Sequence, residues 1–110
     1  MHHQSSEMKV CIEDCLSCYQ TCLGMAAGHC LETGGDHVEP HHYRLMLACA
    51  EACRTSANFI LLGSEYHAQY CRACADICDE CAQSCERLGD MVECVTACRR
   101  CAESCRSLAG

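Results

Sequence analysis

The sequence predicts an all-α fold, an antiparallel up-down-up-down four-helix bundle that occupies residues 1–110 as one domain. Three observations predict it. Cysteines recur at steps of three and four along most of the chain, which is the period of a helix and not of a strand. Breakers divide the chain into four segments of helical length, with the only proline, Pro40, near the start of one of them. β-Branched residues are scarce, and 110 residues suffice for one core but not two.

The first segment runs over about residues 5–32 and stops at Gly34-Gly35. The second covers 40–62: Glu39 precedes it, Pro40 sits in its first turn, where a missing N–H costs nothing, and Gly63 ends it. Ser64 is placed to cap the third, 65–88, which ends at Leu88-Gly89. Asp90 followed by Glu93 resembles a capping box and opens the fourth, 91–108. Apart from Thr33–Glu39 the connections are short, and short connections make successive helices antiparallel.

Segment one carries Cys11, Cys15, Cys18 and Cys22, with Cys30 near its end. Segment two carries only Cys49 and Cys53. Segment three carries Cys71, Cys74, Cys78, Cys81 and Cys85, and segment four Cys94, Cys98, Cys101 and Cys105. At about 100° per residue each set forms a stripe roughly 60–80° wide, at positions that face a bundle interior. Glu13, Asp14, Asp76, Asp79, Glu80, Glu86, Arg99, Arg100 and Glu103 fall on other faces. The stripes extend to Met25 and His29 in segment one, to His42 and Met46 in segment two, and to Met91 in segment four. Antiparallel order gathers Met25, His29, Cys30, His42, Met46, Cys85 and Met91 at one end, with His37 and His41 near it. Met8, Phe59, Ile60, Leu62 and His67 gather at the other. One end therefore reads as an entrance and the other as an apolar floor.

A formal charge of −7 makes nucleic acid a poor partner, and no apolar run reaches membrane-spanning length. The start, Met1-His2-His3-Gln4, lacks the basic and apolar regions of a secretory signal, so the expected location is the cytoplasm, where thiols stay reduced. Sixteen cysteines there point to metal or redox chemistry. A purely structural core would use Leu, Ile and Ala, which bury more area. Disulfides within a helix at i and i+4 are poorly oriented. Structural zinc prefers C-x2-C knuckles on turns, whereas Cys15/Cys18, Cys71/Cys74, Cys78/Cys81 and Cys98/Cys101 lie inside helices. The Cys71–Cys85 run imitates part of an iron–sulfur motif but has the wrong second spacing and no proline.

Copper(I) fits best. It is soft, prefers thiolate and thioether, and is held by as few as two sulfurs. Bare thiolates in an apolar core are untenable, so an empty core must hold neutral thiols, and loading must release protons. So many ligands argue for capacity and not for catalysis. No Ser/His/Asp set, Cys/His pair or acid–base pair of carboxylates stands out, so the chain is expected not to be an enzyme. The alternatives are an iron–sulfur or redox electron-transfer protein, and a zinc- or disulfide-stabilised structural module.

The repeated C-x3-C-x2-C-x3-C stripes, the four-helix length and the His/Met end resemble the cysteine-rich four-helix-bundle copper storage protein family, sometimes labelled ferredoxin-like, in its cytosolic form. The resemblance covers essentially the whole chain. It implies storage of multiple Cu(I) ions on the stripe cysteines, entry at the polar end, and assembly as a homotetramer. Cys11, Cys15, Cys18, Cys22, Cys49, Cys53, Cys71, Cys74, Cys78, Cys81, Cys85, Cys94, Cys98, Cys101 and Cys105 match core ligands. His29, Cys30, His42, Met25 and Met46 match the kind of residue found at the entrance. Copper ions and a copper chaperone are the expected partners. Met1-His2-His3 places an imidazole where it could help bind Cu(II), or forms a tail without that role.

Overall fold

The computed structural model describes residues 4–110, so the Met1-His2-His3 expectation lies outside the described residues. Helix α1 spans Ser6–Met25, and Ser5 caps it by accepting a hydrogen bond from the Met8 N–H. A π-helical turn, Ala26–Cys30, follows without a break, and Leu31–Thr33 adds a last α turn. A short 3-10 turn, Gly35–Val38, leads to α2, Pro40–Leu61. Helix α3 spans His67–Leu88 and α4 spans Val92–Ala109. Helix α1 packs on α2 and α4, and α3 packs on the same two, closing a ring of antiparallel neighbours. The rod measures 49 × 19 × 19 Å, and no described helix is long and apolar enough to cross a membrane.

The helices form where the sulfur period places them, but three local expectations fail. Ser64 does not cap α3. Its Oγ accepts from the Tyr66 N–H within a turn, and the helix begins at His67. Asp90 does not form a capping box with Glu93. Met91 occupies the N-cap position of α4 with no side-chain cap, because the Asp90 carboxylate is drawn instead to His29 and His37. Helix one is not uniform: the π turn inserts one residue into its ladder.

That insertion decides which residue faces inward. On an ideal helix His29 would lie within about 20° of Cys22, and Cys30 about 80° away. The wider π turn advances the register by one residue, so Cys30 is fully buried and His29 is turned aside, with 37% of its side chain exposed. Met25, expected on the stripe, is only partly buried against the core.

The apolar end also differs from expectation. Ile60 is buried and Met8 packs partly on the core. Leu62, however, is 71% exposed, and Phe59 stacks on Tyr70 with ring centroids 4.0 Å apart. A depression of about 460 Å³ lies among Met8, Ile60, Leu61 and His67 outside this end; no cysteine lines it, and the sulfurs beneath Ile60 stay covered.

Candidate metal centre

All sixteen cysteines are free and buried, and each has zero exposure. Each stripe projects onto the shared axis because i, i+3 and i+4 positions lie on one helix face. Contacts then cross between helices. Near one end Cys11, Cys15 and Cys105 form a triangle with Sγ···Sγ separations of 3.6 to 4.0 Å. Cys15 meets Cys101 at 3.6 Å, and Cys101 meets Cys53 at 3.6 Å. Cys53 meets Cys78 at 3.6 Å, and Cys78 meets Cys49 at 3.7 Å. Cys49 meets Cys98 at 3.8 Å, and Cys98 meets Cys22 at 3.6 Å. The sulfurs thus touch in an unbroken series along the bundle. These separations are far beyond the ~2.05 Å of a disulfide, so no cystine staples the fold.

Within the series, groups of thiols converge closely enough to share an ion. Cys15, Cys74, Cys101 and Cys105 lie within 4.8 Å of one another, as do Cys53, Cys74, Cys78 and Cys101. Cys18, Cys22, Cys49 and Cys98 form another such group, and Cys18, Cys49, Cys53 and Cys78 a fourth. Cys11, Cys71 and Cys105 close the series toward the apolar end. Successive groups overlap in membership, so these are not separate compartments. Cys85 lies beside Cys81 and Cys94 nearer the other end.

Burial opposes ionisation of every one of these thiols. Cys98 is pushed well above the ordinary thiol range, first by the Cys18 and Cys22 thiols around it and then by burial. Cys105 is raised by its contacts with Cys101 and Cys11 and by burial. Cys30 is raised by burial, to which the charges of Cys85 and Asp90 add. Thiol contacts also act the other way: Cys81 and Cys94 lower Cys85 to about 4, and Cys105 and Cys15 lower Cys101. Burial opposes charge at every position, so most of the empty core stays protonated, and what charge it holds sits where neighbouring thiols donate to it.

At the polar end the donor set changes. Cys30 Sγ lies 3.7 Å from Met46 Sδ, and both residues are fully buried. His42 is 4% exposed. Its Nδ1 is 2.7 Å from Ser84 Oγ, while its buried Nε2 has no hydrogen-bond partner. Burial lowers the His42 pKa, against a partly compensating pull from Cys85, so this imidazole is neutral near pH 7. Glu39 holds the start of α2 in place by accepting from the His41 and His42 N–H groups. The second helix, poor in cysteine, thus completes its inward face with His42 and Met46 above Cys49, and with Ser56, Ala57 and Ile60 below Cys53.

Sequence reasoning missed two features here. Ser84, the partner of His42, precedes Cys85 and is buried at the edge of the α3 stripe; its neighbour's place in the period was the available signal. The Asp90 contacts to His29 and His37 span 61 and 53 positions, and no local pattern could announce them.

Comparison with known proteins agrees with this geometry. Residues 4–110 match the Csp family, described as copper storage protein. The Nmul_A1745 protein of Nitrosospira multiformis has a crystal structure that superposes with a TM-score of 0.94 at 55% identity, covering 96% of this chain and 97% of that one. The Cu(I)-bound copper storage protein BsCsp3 superposes with a TM-score of 0.86 at 32% identity, covering 96% of this chain and all of the other (100%). The uncharacterized cysteine-rich protein YhjQ of Bacillus subtilis (strain 168) is 33% identical over 77 residues, 70% of each chain. A sulfur-lined four-helix core, matched along nearly its whole length, places this chain in the copper storage protein family.

Proposed function

We propose that this protein stores Cu(I) ions on the thiolates of its core, catalyses no reaction, and exchanges the metal through the His/Met end. The observation that carries the reading is the continuous series of buried, unlinked thiols. A soft monovalent ion between two sulfurs satisfies a core that would not tolerate bare thiolates, because each Cu(I) offsets the charge of a thiolate as its proton leaves. The stripe cysteines are the storage ligands. Cys30, Met46 and His42 form the inner entrance, and the unpartnered Nε2 of His42 supplies a lone pair there once the ring proton sits on Nδ1. Met25, partly buried against the core, is a further thioether of this reading. His29 stands at the rim and not on the sulfur stripe.

A reduced thiol core suits the cytoplasm, and a copper chaperone docking at the entrance would deliver the ion without releasing it to water. Assembly as a homotetramer is part of this reading; the exposed Leu61, Leu62, Tyr66 and Tyr70 offer apolar surface for it. Anaerobic titration of the reduced protein with Cu(I) against a chromophoric competitor tests the storage role. The expected result is uptake of about one Cu(I) per thiolate, with helical content unchanged. Saturation after two or three equivalents would overturn it.

A further inference from the structure

Outside the sulfur core, three side chains from three different segments meet at the polar end. His29 Nε2 lies 2.9 Å from Asp90 Oδ2, and His37 Nε2 lies 2.7 Å from Asp90 Oδ1. The two imidazole rings stand edge to face, with centroids 5.2 Å apart. His29 comes from the π turn, His37 from the 3-10 turn and Asp90 from the α3–α4 connection.

Each ligand is delivered by a departure from regular backbone. The extra residue of the π turn points Cys30 inward and thereby swings His29 toward Asp90. Gly34 and Gly35, at φ of 69° and 56°, reverse the chain so that His37 folds back over the end. Gly89, at φ of 85°, ends α3 and sets Asp90 facing both rings. Asp90 forgoes the capping of α4 to do so. His37 is well covered, with 12% of its side chain exposed.

We propose that His29, His37 and Asp90 form a separate binding site for a divalent transition-metal ion, of the Zn2+ or Cu2+ class, at the rim of the bundle. Two imidazoles and a carboxylate are borderline-to-hard donors, suited to divalent ions and unlike the thiolates and thioether that suit Cu(I). With metal–ligand bonds of about 2.0–2.2 Å, donors at right angles stand about 2.9 Å apart and tetrahedral donors about 3.3 Å apart. The observed N···O distances therefore need to open by only a few tenths of an ångström. In the empty site each Nε2 carries the proton it donates to Asp90. On binding, that proton leaves Nε2, each ring takes the neutral tautomer protonated on Nδ1, and the freed Nε2 lone pair turns to the ion, while Asp90 supplies the negative charge. An ion here would tie the π turn, the 3-10 turn and the α3–α4 connection together across the rim. The site does not depend on what fills the core.

Saturating titration of the reduced, anaerobic protein with Co2+ tests this. Thiolate-bound Co2+ shows intense sulfur-to-metal charge-transfer absorption, whereas an ion on nitrogen and oxygen shows only weak visible bands. We expect one equivalent of the second kind, with paramagnetic shifts of the His29 and His37 ring protons. Asp90→Asn, which keeps a hydrogen-bonding side chain, and His37→Ala should each weaken that equivalent at least tenfold. His41→Ala should leave it unchanged, and far-ultraviolet circular dichroism should show the helices intact in all three variants. Absence of the equivalent in the wild type, or its persistence in Asp90→Asn and His37→Ala, overturns the proposal. Neither result bears on the Cu(I) titration of the core, so the two readings fail independently.

Discussion

At one end of the bundle the interior finishes in sulfur and imidazole; at the other it finishes in hydrocarbon. Cys30, Met46 and His42 close the first, all buried and all with a donor atom. Ile60 and the flank of Met8 close the second, beside an open depression of about 460 Å³. The same four helices build both ends, and α2 shows the contrast most clearly. Its inward face changes from His42 and Met46 to Ser56, Ala57 and Ile60, with Cys49, Ala50 and Cys53 between. Burial alone thus does not distinguish the two ends, because Met46 and Ile60 are both buried. What differs is whether the buried atoms can hold a soft ion.

The sharpest test of that contrast substitutes one residue at each end. Met46→Ala and Ile60→Ala should each cost about 2–5 kcal/mol in urea denaturation of the metal-free protein, because each leaves a cavity where a large side chain was. Only Met46→Ala should also slow Cu(I) uptake in stopped-flow mixing. Equal slowing by Ile60→Ala would mean that metal passes through the apolar end as well.

Alkaline pH probes what both ends enclose. Burial raises Cys30, and contacts with neighbouring thiols followed by burial raise Cys98 and Cys105, all above their unfolded value. Their contribution to stability is thus complete below the unfolded thiol pKa of about 8.5 and is lost as pH climbs toward the folded values. The melting temperature of the metal-free protein should fall as pH rises from about 8 to 10, and that of the Cu(I)-loaded protein should fall much less. Cu(I) affinity should move the opposite way, strengthening with pH because each thiolate bond displaces a proton. A flat melting profile for the empty protein would contradict the raised thiols of Cys30, Cys98 and Cys105.

Smaller effects are confined to the polar end and the surface. His42→Ala leaves the buried Ser84 hydroxyl without its partner and should cost about 1–3 kcal/mol, measurable by thermal unfolding. Glu39→Ala removes the two backbone hydrogen bonds that start α2 and should lower the melting temperature by less than His42→Ala does. The ion pairs of Arg106 with Asp76 and Asp79 lie in solvent, so Arg106→Ala should leave the melting temperature nearly unchanged.

The helices and the inward placement of the fifteen stripe cysteines were legible because one physical rule produces both. A buried stripe must recur every three or four residues, and sulfur marked that stripe plainly from Cys11 to Cys105. The ends were less legible, because there local signals compete with contacts between distant segments. Asp90 and Glu93 have capping-box spacing, yet two imidazoles from elsewhere in the chain claim the carboxylate. Ser64 stands at the expected start of α3, yet Gly63 at φ of 69° leads into a turn that delays the helix to His67. The π turn left one trace: Cys30 stands eight residues after Cys22, out of phase for a regular helix but in phase once a residue is inserted.

The contact distances between neighbouring sulfurs carry a consequence for movement. From Cys11 through Cys101 and Cys53 to Cys22, each thiol touches at least two others within 4.0 Å. A guest ion can therefore bond to its next host before it leaves the last one. Migration along this stretch becomes a relay of partner exchanges with no dissociated stage, so an ion taken up beside Cys22 can travel to Cys11 while always bonded to sulfur.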